Sequence, residues 1–283
     1  MSAAAVIGLG HMGSRVAQRL LDAGHEVRTW DRRDQPLRAV TEIAADVDVV
    51  FTVLANDEAV REVVLGTGLL ESLRDGAVFV DLSTTSPELV EDLAKAPRAG
   101  DADILDVEMS GSTPTLDAGE LVLLVGGDEA VLERVRPFLD PLSKSIYLMG
   151  PLGAGAKMKL AVNIMLGVGM EALAEAIVFA EGAGLDRATV LETFGHLAVV
   201  APAHHGKLEH AAKNDYPVEF ALRLMAKDFG LVLAHAEEHG IDLPATKASA
   251  EVSERALAVS NEDEDFAIVI RQLEQEAGVR PRR

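Results

Sequence analysis

The sequence predicts an α/β amino-terminal domain followed by an all-helical carboxy-terminal domain, with one long helix joining them. Three observations carry this expectation. Apolar runs of strand length alternate with helical periodicity as far as Gly150. A proline-free stretch of about 25 residues follows, rich in Ala, Leu, Met and Glu. Beyond it only helical patterns recur. The chain of 283 residues is long enough for two cores, and the domain boundary is placed between residues 154 and 155.

The first element is the apolar run AAVIGL at 3–8, which meets Gly8-x-Gly10-x-x-Gly13; SRVAQRLLDAGH then continues at helical spacing to Gly24. In this strand–turn–helix context each glycine has a task. Gly8 permits the tight turn, Gly10 lets backbone approach a pyrophosphate, and Gly13 lets the helix pack on the strand. The helix opening, with His11 and Met12, offers unpaired amides and a positive dipole end to phosphates. A second strand, EVRTWD, ends on Asp31, about twenty residues on, where an acid reads the ribose hydroxyls. The combination marks a Rossmann-type, NAD(P)-binding domain. Arg32 and Arg33 follow directly and pull the other way, since guanidinium groups pair with a 2′-phosphate that Asp31 repels. Two arginines offset one carboxylate, which favours NADP and keeps NAD as the alternative.

Further units follow: the strand VDVVFTVLAND with its loop, a helix from about Glu58 to Leu65, the strand and polar loop AVFVDLSTTSPE, and a helix from Ser86-Pro87 to about Ala96. Such alternation implies a parallel sheet with ligands beyond the carboxyl ends of its strands. That rule puts Leu54, Ala55 and the Ser83–Thr85 loop beside the cofactor. ILDVEM then leads to Ser110-Gly111-Ser112, whose hydroxyls and flexible backbone suit a carboxylate. LVLLVGG, a helix from about Asp128 to Leu139 and the strand SIYLMG complete the domain.

In the long helix Lys159 and Asn163 stand four apart, so both project from one face near its start; they are the candidates for chemistry. Eleven residues separate Lys159 from Glu171, and Glu175 follows, which falls short of the roughly 18 uncharged residues of a membrane span. Later helices are expected at about 187–195, 202–213, 218–239, 245–258 and 264–277. His235, Glu238 and His239 match the H-x-x-E-H pattern of some zinc peptidases but close a helix stopped by Gly240, without a further ligand, so no metal is expected. His204, His205 and His210 read as a solvated helix face.

Composition narrows the classes. Without cysteine there is no disulfide, thiolate metal site or cysteine nucleophile. A net charge of -20 opposes nucleic acid or anionic membrane as a partner. The first residues enter a strand without a basic or long apolar leader, which reads as cytoplasmic.

With these residues assembled, the chain resembles the β-hydroxyacid dehydrogenase family, whose members include 3-hydroxyisobutyrate dehydrogenase and the glyoxylate and succinic semialdehyde reductases. The resemblance rests on GLGHMG at 8–13, DLSTTSPE at 81–88, the SGS loop at 110–112 with Gly119 downstream, GPLGAGAKMKLAVN at 150–163, and KDF at 227–229. It implies an active site in a cleft between the two domains and a small carboxylate-bearing aldehyde, ketone or hydroxy acid as substrate. It also implies roles: Lys159 as general acid, Asn163 placing the substrate, Ser110, Gly111 and Ser112 holding its carboxylate, and Thr84 by the nicotinamide. Lys227, near the cofactor as well, and Asp228 would close the site. A homodimer or homotetramer is implied. Glu108 stands where the family usually has proline, Ser112 where it has glycine and Leu116 where it has alanine; these changes bear on the substrate, not the reaction type. Imine reductases and non-catalytic dinucleotide-binding relatives are the alternatives, and both tend to lack the lysine.

Overall fold

The computed structural model describes residues 2–261 and 264–279. The chain forms two compact units, Met1–Lys159 and Leu160–Arg283.

In the first unit, strands β1 (Ala3–Ile7), β2 (Glu26–Trp30), β3 (Val49–Thr52), β4 (Val78–Asp81), β5 (Asp103–Ser110), β6 (Leu121–Gly126) and β7 (Ser143–Gly150) form one sheet in the order β2-β1-β3-β4-β5-β6-β7. Alternate residues feed two cores. Ala4, Val6, Phe51 and Val80 face one side, with α1 (His11–Asp22), α6 (Thr113–Asp117) and α7 (Glu129–Leu139). Ala5, Ile7, Val50 and Phe79 face the other, with α2 (Ala39–Ala44), α3 (Asp57–Val60), α4 (Leu69–Ser72) and α5 (Pro87–Lys95). Burial on both faces explains why these strands read as unbroken apolar runs.

The sheet departs from the all-parallel expectation at one place: β6 runs antiparallel to β5, and β7 then pairs parallel to β6. The physical reason is length. Only residues 111–120 connect β5 to β6, and a parallel crossover needs about a dozen or more. The expected helix at 58–65 is α3 followed by a π-turn over Arg61–Leu65, and the short α2, α4 and α6 were not anticipated.

The helix α8 (Ala154–Gly182) is 29 residues long. Among the described residues it is the one helix that could cross a membrane by length and composition, with mean hydropathy 1.7. Its face nevertheless enters the core of the second unit through Met170, Leu173, Ala174 and Ile177, and it buries Asn163 and Glu171. The second unit adds α9 (Arg187–Phe194), α10 (Pro202–Lys213), α11 (Leu222–Glu238), α12 (Pro244–Leu257) and α13 (Val269–Glu276). The start of α11 lies later than expected because the N–H groups of Glu219 and Phe220 donate to the Asp265 carboxylate, which holds that segment out of the helix. One reading is corrected. His204 is buried, not solvated: its Nε2 donates to Leu166 O at 3.0 Å and its ring lies over Gly169, where a Cβ would come within 2.8 Å. His205 is exposed and His210 half-buried.

Gly167 lets α8 and α11 approach, since a Cβ there would lie 2.3 Å from Phe229 and 2.7 Å from Met225. Near this seam Glu171 is 7% exposed, and burial, then the neighbouring Glu175, push its carboxyl up to about 7. A carboxyl whose folded value exceeds its unfolded one takes up a proton on folding. Its contribution is therefore fully present below the unfolded value and lost as pH rises through about 7. Glu171→Gln is expected to be more stable than the native chain at pH 8, by about 1–3 kcal/mol, with the gap closing towards pH 5. Urea titrations at the two pH values measure this; a pH-independent gap refutes it.

Candidate active site

The cofactor cradle lies within the first unit. Gly8 has φ +100°, and its N–H donates to Trp30 O, which ties the turn after β1 to the end of β2. A Cβ on Gly13 would fall 1.9 Å from Gly8 O, so α1 and the turn interlock only with glycine there. Gly10, by contrast, faces open space within 4 Å and no side chain caps α1. An open glycine before an uncapped helix N-terminus is a site for a pyrophosphate, so the residues fit a dinucleotide. His11 is exposed and Met12 half-buried at this opening.

Asp31, 7% exposed, ends β2 and accepts hydrogen bonds from Leu9 N at 3.0 Å and from Arg33 Nε at 2.7 Å. The Arg33 guanidinium holds its carboxyl far below the usual carboxylate range. Arg32 pairs with Glu62, from the π-turn after α3. Both arginines are thus at the expected ribose end, each already engaged by an acid.

The loops after β3 and β4 are fastened together. Thr52 Oγ1 donates to Asp81 Oδ1 at 2.8 Å, Ser83 N donates to the same oxygen at 3.0 Å, and Leu54 N donates to Ser83 Oγ at 2.9 Å. Burial raises Asp81 to about 6, against these bonds. Sequence reasoning missed Asp81, although an acid two residues before a serine at a strand end is a recognisable side-chain turn. Leu54 is half-buried and Ala55 exposed beside the glycine turn; Thr84 Oγ1 donates to Glu108 Oε2 at 3.2 Å.

At the end of β5, Lys159 Nζ donates to Met109 O at 2.7 Å, one residue before Ser110. Gly111 has φ +144°, and a Cβ there would meet Leu121 at 2.7 Å, so the Ser-Gly-Ser loop needs its glycine. Ser112 opens α6 and shares a 3.2 Å hydrogen bond with Thr115.

In the second unit Asn163, one turn beyond Lys159 on α8, donates from Nδ2 to Asp228 Oδ2 at 2.7 Å. A carboxylate only accepts, so the amide nitrogen must face it, and Asn163 Oδ1 is left buried without a hydrogen-bond partner. Lys227 Nζ lies 2.9 Å from Asp228 Oδ1. The structure therefore gathers Asn163, Lys227 and Asp228 in one unit, and in the other Thr84 in the loop after β4, Ser110 at the end of β5 and Lys159 on the first turns of α8 beside it. His235, Glu238 and His239 offer ligand atoms within 4.8 Å of one another at the far end of α11, where His239 Nδ1 donates to His235 O at 2.9 Å.

Comparison with known proteins agrees with this geometry. Residues 3–150 match the NAD-binding domain of 6-phosphogluconate dehydrogenase, and residues 153–273 the NAD-binding region of NADP-dependent 3-hydroxyisobutyrate dehydrogenase. The chain is 35% identical to a 2-(hydroxymethyl)glutarate dehydrogenase of Eubacterium barkeri, over 96% of this chain and 95% of that one. It is 33% identical to the chloroplastic glyoxylate/succinic semialdehyde reductase 2 of Arabidopsis thaliana, over 94% and 78%. A 3-hydroxyisobutyrate dehydrogenase of Mycobacterium tuberculosis, solved with L-serine, superposes with a TM-score of 0.83 at 31% identity, over 96% and 99%. The two domain matches and the near full-length relatives together show that the chain belongs to the β-hydroxyacid dehydrogenase family of NAD(P)-dependent oxidoreductases.

Proposed function

We propose that the protein interconverts a small carboxylate-bearing aldehyde or ketone and its hydroxy acid, with NADP preferred over NAD and Lys159 as the proton donor in reduction. The observation that carries this reading is the seat of Lys159: its ammonium is anchored on Met109 O, adjoining a loop of two hydroxyls and a strained glycine. The bound nicotinamide supplies or receives the hydride. What the chain does is hold a proton at Lys159 Nζ and release it to the carbonyl oxygen as negative charge develops there. The hydroxyls of Ser110 and Ser112 and the loop amides donate to the substrate carboxylate, while Asn163 Oδ1 accepts from a substrate hydroxyl. Within the second unit Lys227 and Asp228 flank Asn163.

NADP preference is supported by the two arginines after Asp31. Arg32 and its partner Glu62 are both exposed, and exposed ion pairs contribute only about 0–1 kcal/mol, so the Arg32 guanidinium turns to a 2′-phosphate at small cost, while Arg33 stays on the buried Asp31 carboxylate and offsets its charge. A homodimer is supported by α8, where Met158, Met165, Ala172 and Phe179 are exposed at seven-residue intervals, an apolar stripe suited to a second copy of the helix. The carboxylate is supported by relatives whose named substrates, glyoxylate, succinic semialdehyde and 2-(hydroxymethyl)glutarate, all bear one.

The test is a comparison of glyoxylate and succinic semialdehyde with neutral aldehydes of matched length, with NADPH and with NADH. The charged substrates are expected to show kcat/KM at least about tenfold higher, equivalent to about 1.4 kcal/mol, a difference one charge-assisted hydrogen bond supplies. Ser110→Ala is expected to remove most of that preference. Equal efficiency for charged and neutral aldehydes would sink the carboxylate reading.

A further inference from the structure

We propose that Asp106 positions Lys159, by pinning the first turn of α8 to β5; this rests on the reading of Lys159 as the proton donor. Asp106 is 2% exposed, in the middle of β5 between the buried Leu105 and Val107. Its Oδ1 accepts Gly153 N at 2.7 Å and its Oδ2 accepts Ala156 N at 2.8 Å. These N–H groups belong to the opening of α8, where a helix has no backbone acceptors of its own. The cap therefore comes from a strand 47 and 50 residues earlier rather than from the residues that precede the helix.

The consequence for Lys159 is geometric. One turn beyond Ala156, its Nζ reaches Met109 O, three residues beyond Asp106 on the same strand. Strand and helix are thus held at two rungs, the carboxylate below and the ammonium above. A slip of one residue at the lower rung would turn the helix by about 100° and shift it by about 1.5 Å, enough to take the ammonium off its seat. The surroundings are cut to the carboxylate. A Cβ on Gly126 would lie 2.2 Å from Asp106 Oδ1, and one on Gly155 would lie 2.7 Å from Oδ2. Gly153, at φ +90°, makes the turn that presents its N–H. The glycine spacing that precedes Lys159 in the sequence thereby acquires a physical reading: Gly153 turns the chain, and Gly155 clears the carboxylate that aligns the helix.

Asp106→Asn is nearly isosteric, but its NH2 group must face one of the two N–H donors, so one rung bond is lost. The expected result is a kcat lower by about 10–100-fold, the scale of a misplacement near 1 Å, with cofactor KM within about twofold. In a Lys159→Ala background the same substitution is expected to change kcat by less than about twofold, because Asp106 acts through the lysine. Gly155→Ala, which crowds the carboxylate from the other side, is expected to show the same pattern and covers the case in which Asp106→Asn folds poorly. A full additional loss in the Lys159→Ala background overturns the proposal, since a merely structural anchor behaves that way. So does native kcat in folded Asp106→Asn. A Lys159→Ala enzyme with native kcat instead ends the reading of the site, and the positioning role falls with it.

Discussion

Replacing Lys159 by alanine is expected to lower kcat by about 100-fold or more while cofactor affinity stays within about twofold of native. Hydride arriving at a carbonyl carbon leaves negative charge on the oxygen, and that charge needs a nearby cation and then a proton. In the proposed mechanism Lys159 supplies both from one position at the start of α8. Both interactions strengthen towards the transition state, so their loss falls on kcat more than on substrate KM. The cofactor cradle is built elsewhere, from Gly8, Gly10, Gly13 and Asp31, and contains no atom of Lys159. Steady-state rates with a carboxylated aldehyde, together with fluorescence titration of NADPH, separate the two effects. Near-native kcat would remove Lys159 from the chemistry, and lost NADPH binding would assign it a structural role.

The largest effect on stability is expected at Asp265. This side chain is 0% exposed and accepts from Lys207 Nζ at 2.8 Å, from Glu219 N and Phe220 N at 3.0 Å each, and from Ala267 N at 3.1 Å. Lys207 is itself only 4% exposed and lies 5.5 Å from the centroid of the Phe266 ring. Asp265→Ala leaves three backbone N–H groups unpaired and removes one of the two carboxylates that hold the buried Lys207 ammonium, the other being Glu219 at 2.7 Å, and a broken buried pair costs about 3–5 kcal/mol. Lys207→Met removes the charge instead and leaves the carboxylate bonded to backbone, so its cost is expected to be smaller, about 1–2 kcal/mol. Denaturant unfolding of both variants checks the order. Equal losses would show that the ion pair, not the backbone bonds, holds this corner.

Much of this was legible in the sequence because it is written locally. Gly8, Gly10 and Gly13 follow an apolar run and open a helix, and Asp31 closes the next strand, so a few residues on either side state the whole cradle. Lys159 and Asn163 share a helix face by spacing alone. The buried acids were not legible. Asp106 and Asp265 bond to groups that mostly lie far away in the chain, and nothing near them distinguishes an acid inside a core from one on a surface; Asp81 has a local sign in Ser83, but its partner Thr52 lies 29 residues away. His204 looked like one of a solvated cluster because neighbouring His205 and His210 face outward to different degrees; its hydrogen bond to Leu166 O is 38 residues distant. The antiparallel turn of β6 depended on loop length rather than residue type. Pattern alone cannot separate a short reversal from a tight crossover.

That reversal decides the direction in which the helix carrying Lys159 leaves the sheet. Because β6 and β7 run against β5, the chain finishes β7 level with Asp106 in the middle of β5, and α8 then climbs alongside β5 from Asp106 to Met109. Lys159 arrives at the rim where the loops after β3, β4 and β5 converge. Had β6 and β7 run with the other strands, α8 would have started at that rim and carried its first turns away from it. Residues 111–120 are therefore more than a loop bearing Gly111 and Ser112. Their shortness sets the heading of α8, so an insertion long enough to permit a crossover would move Lys159 to the opposite edge of the sheet.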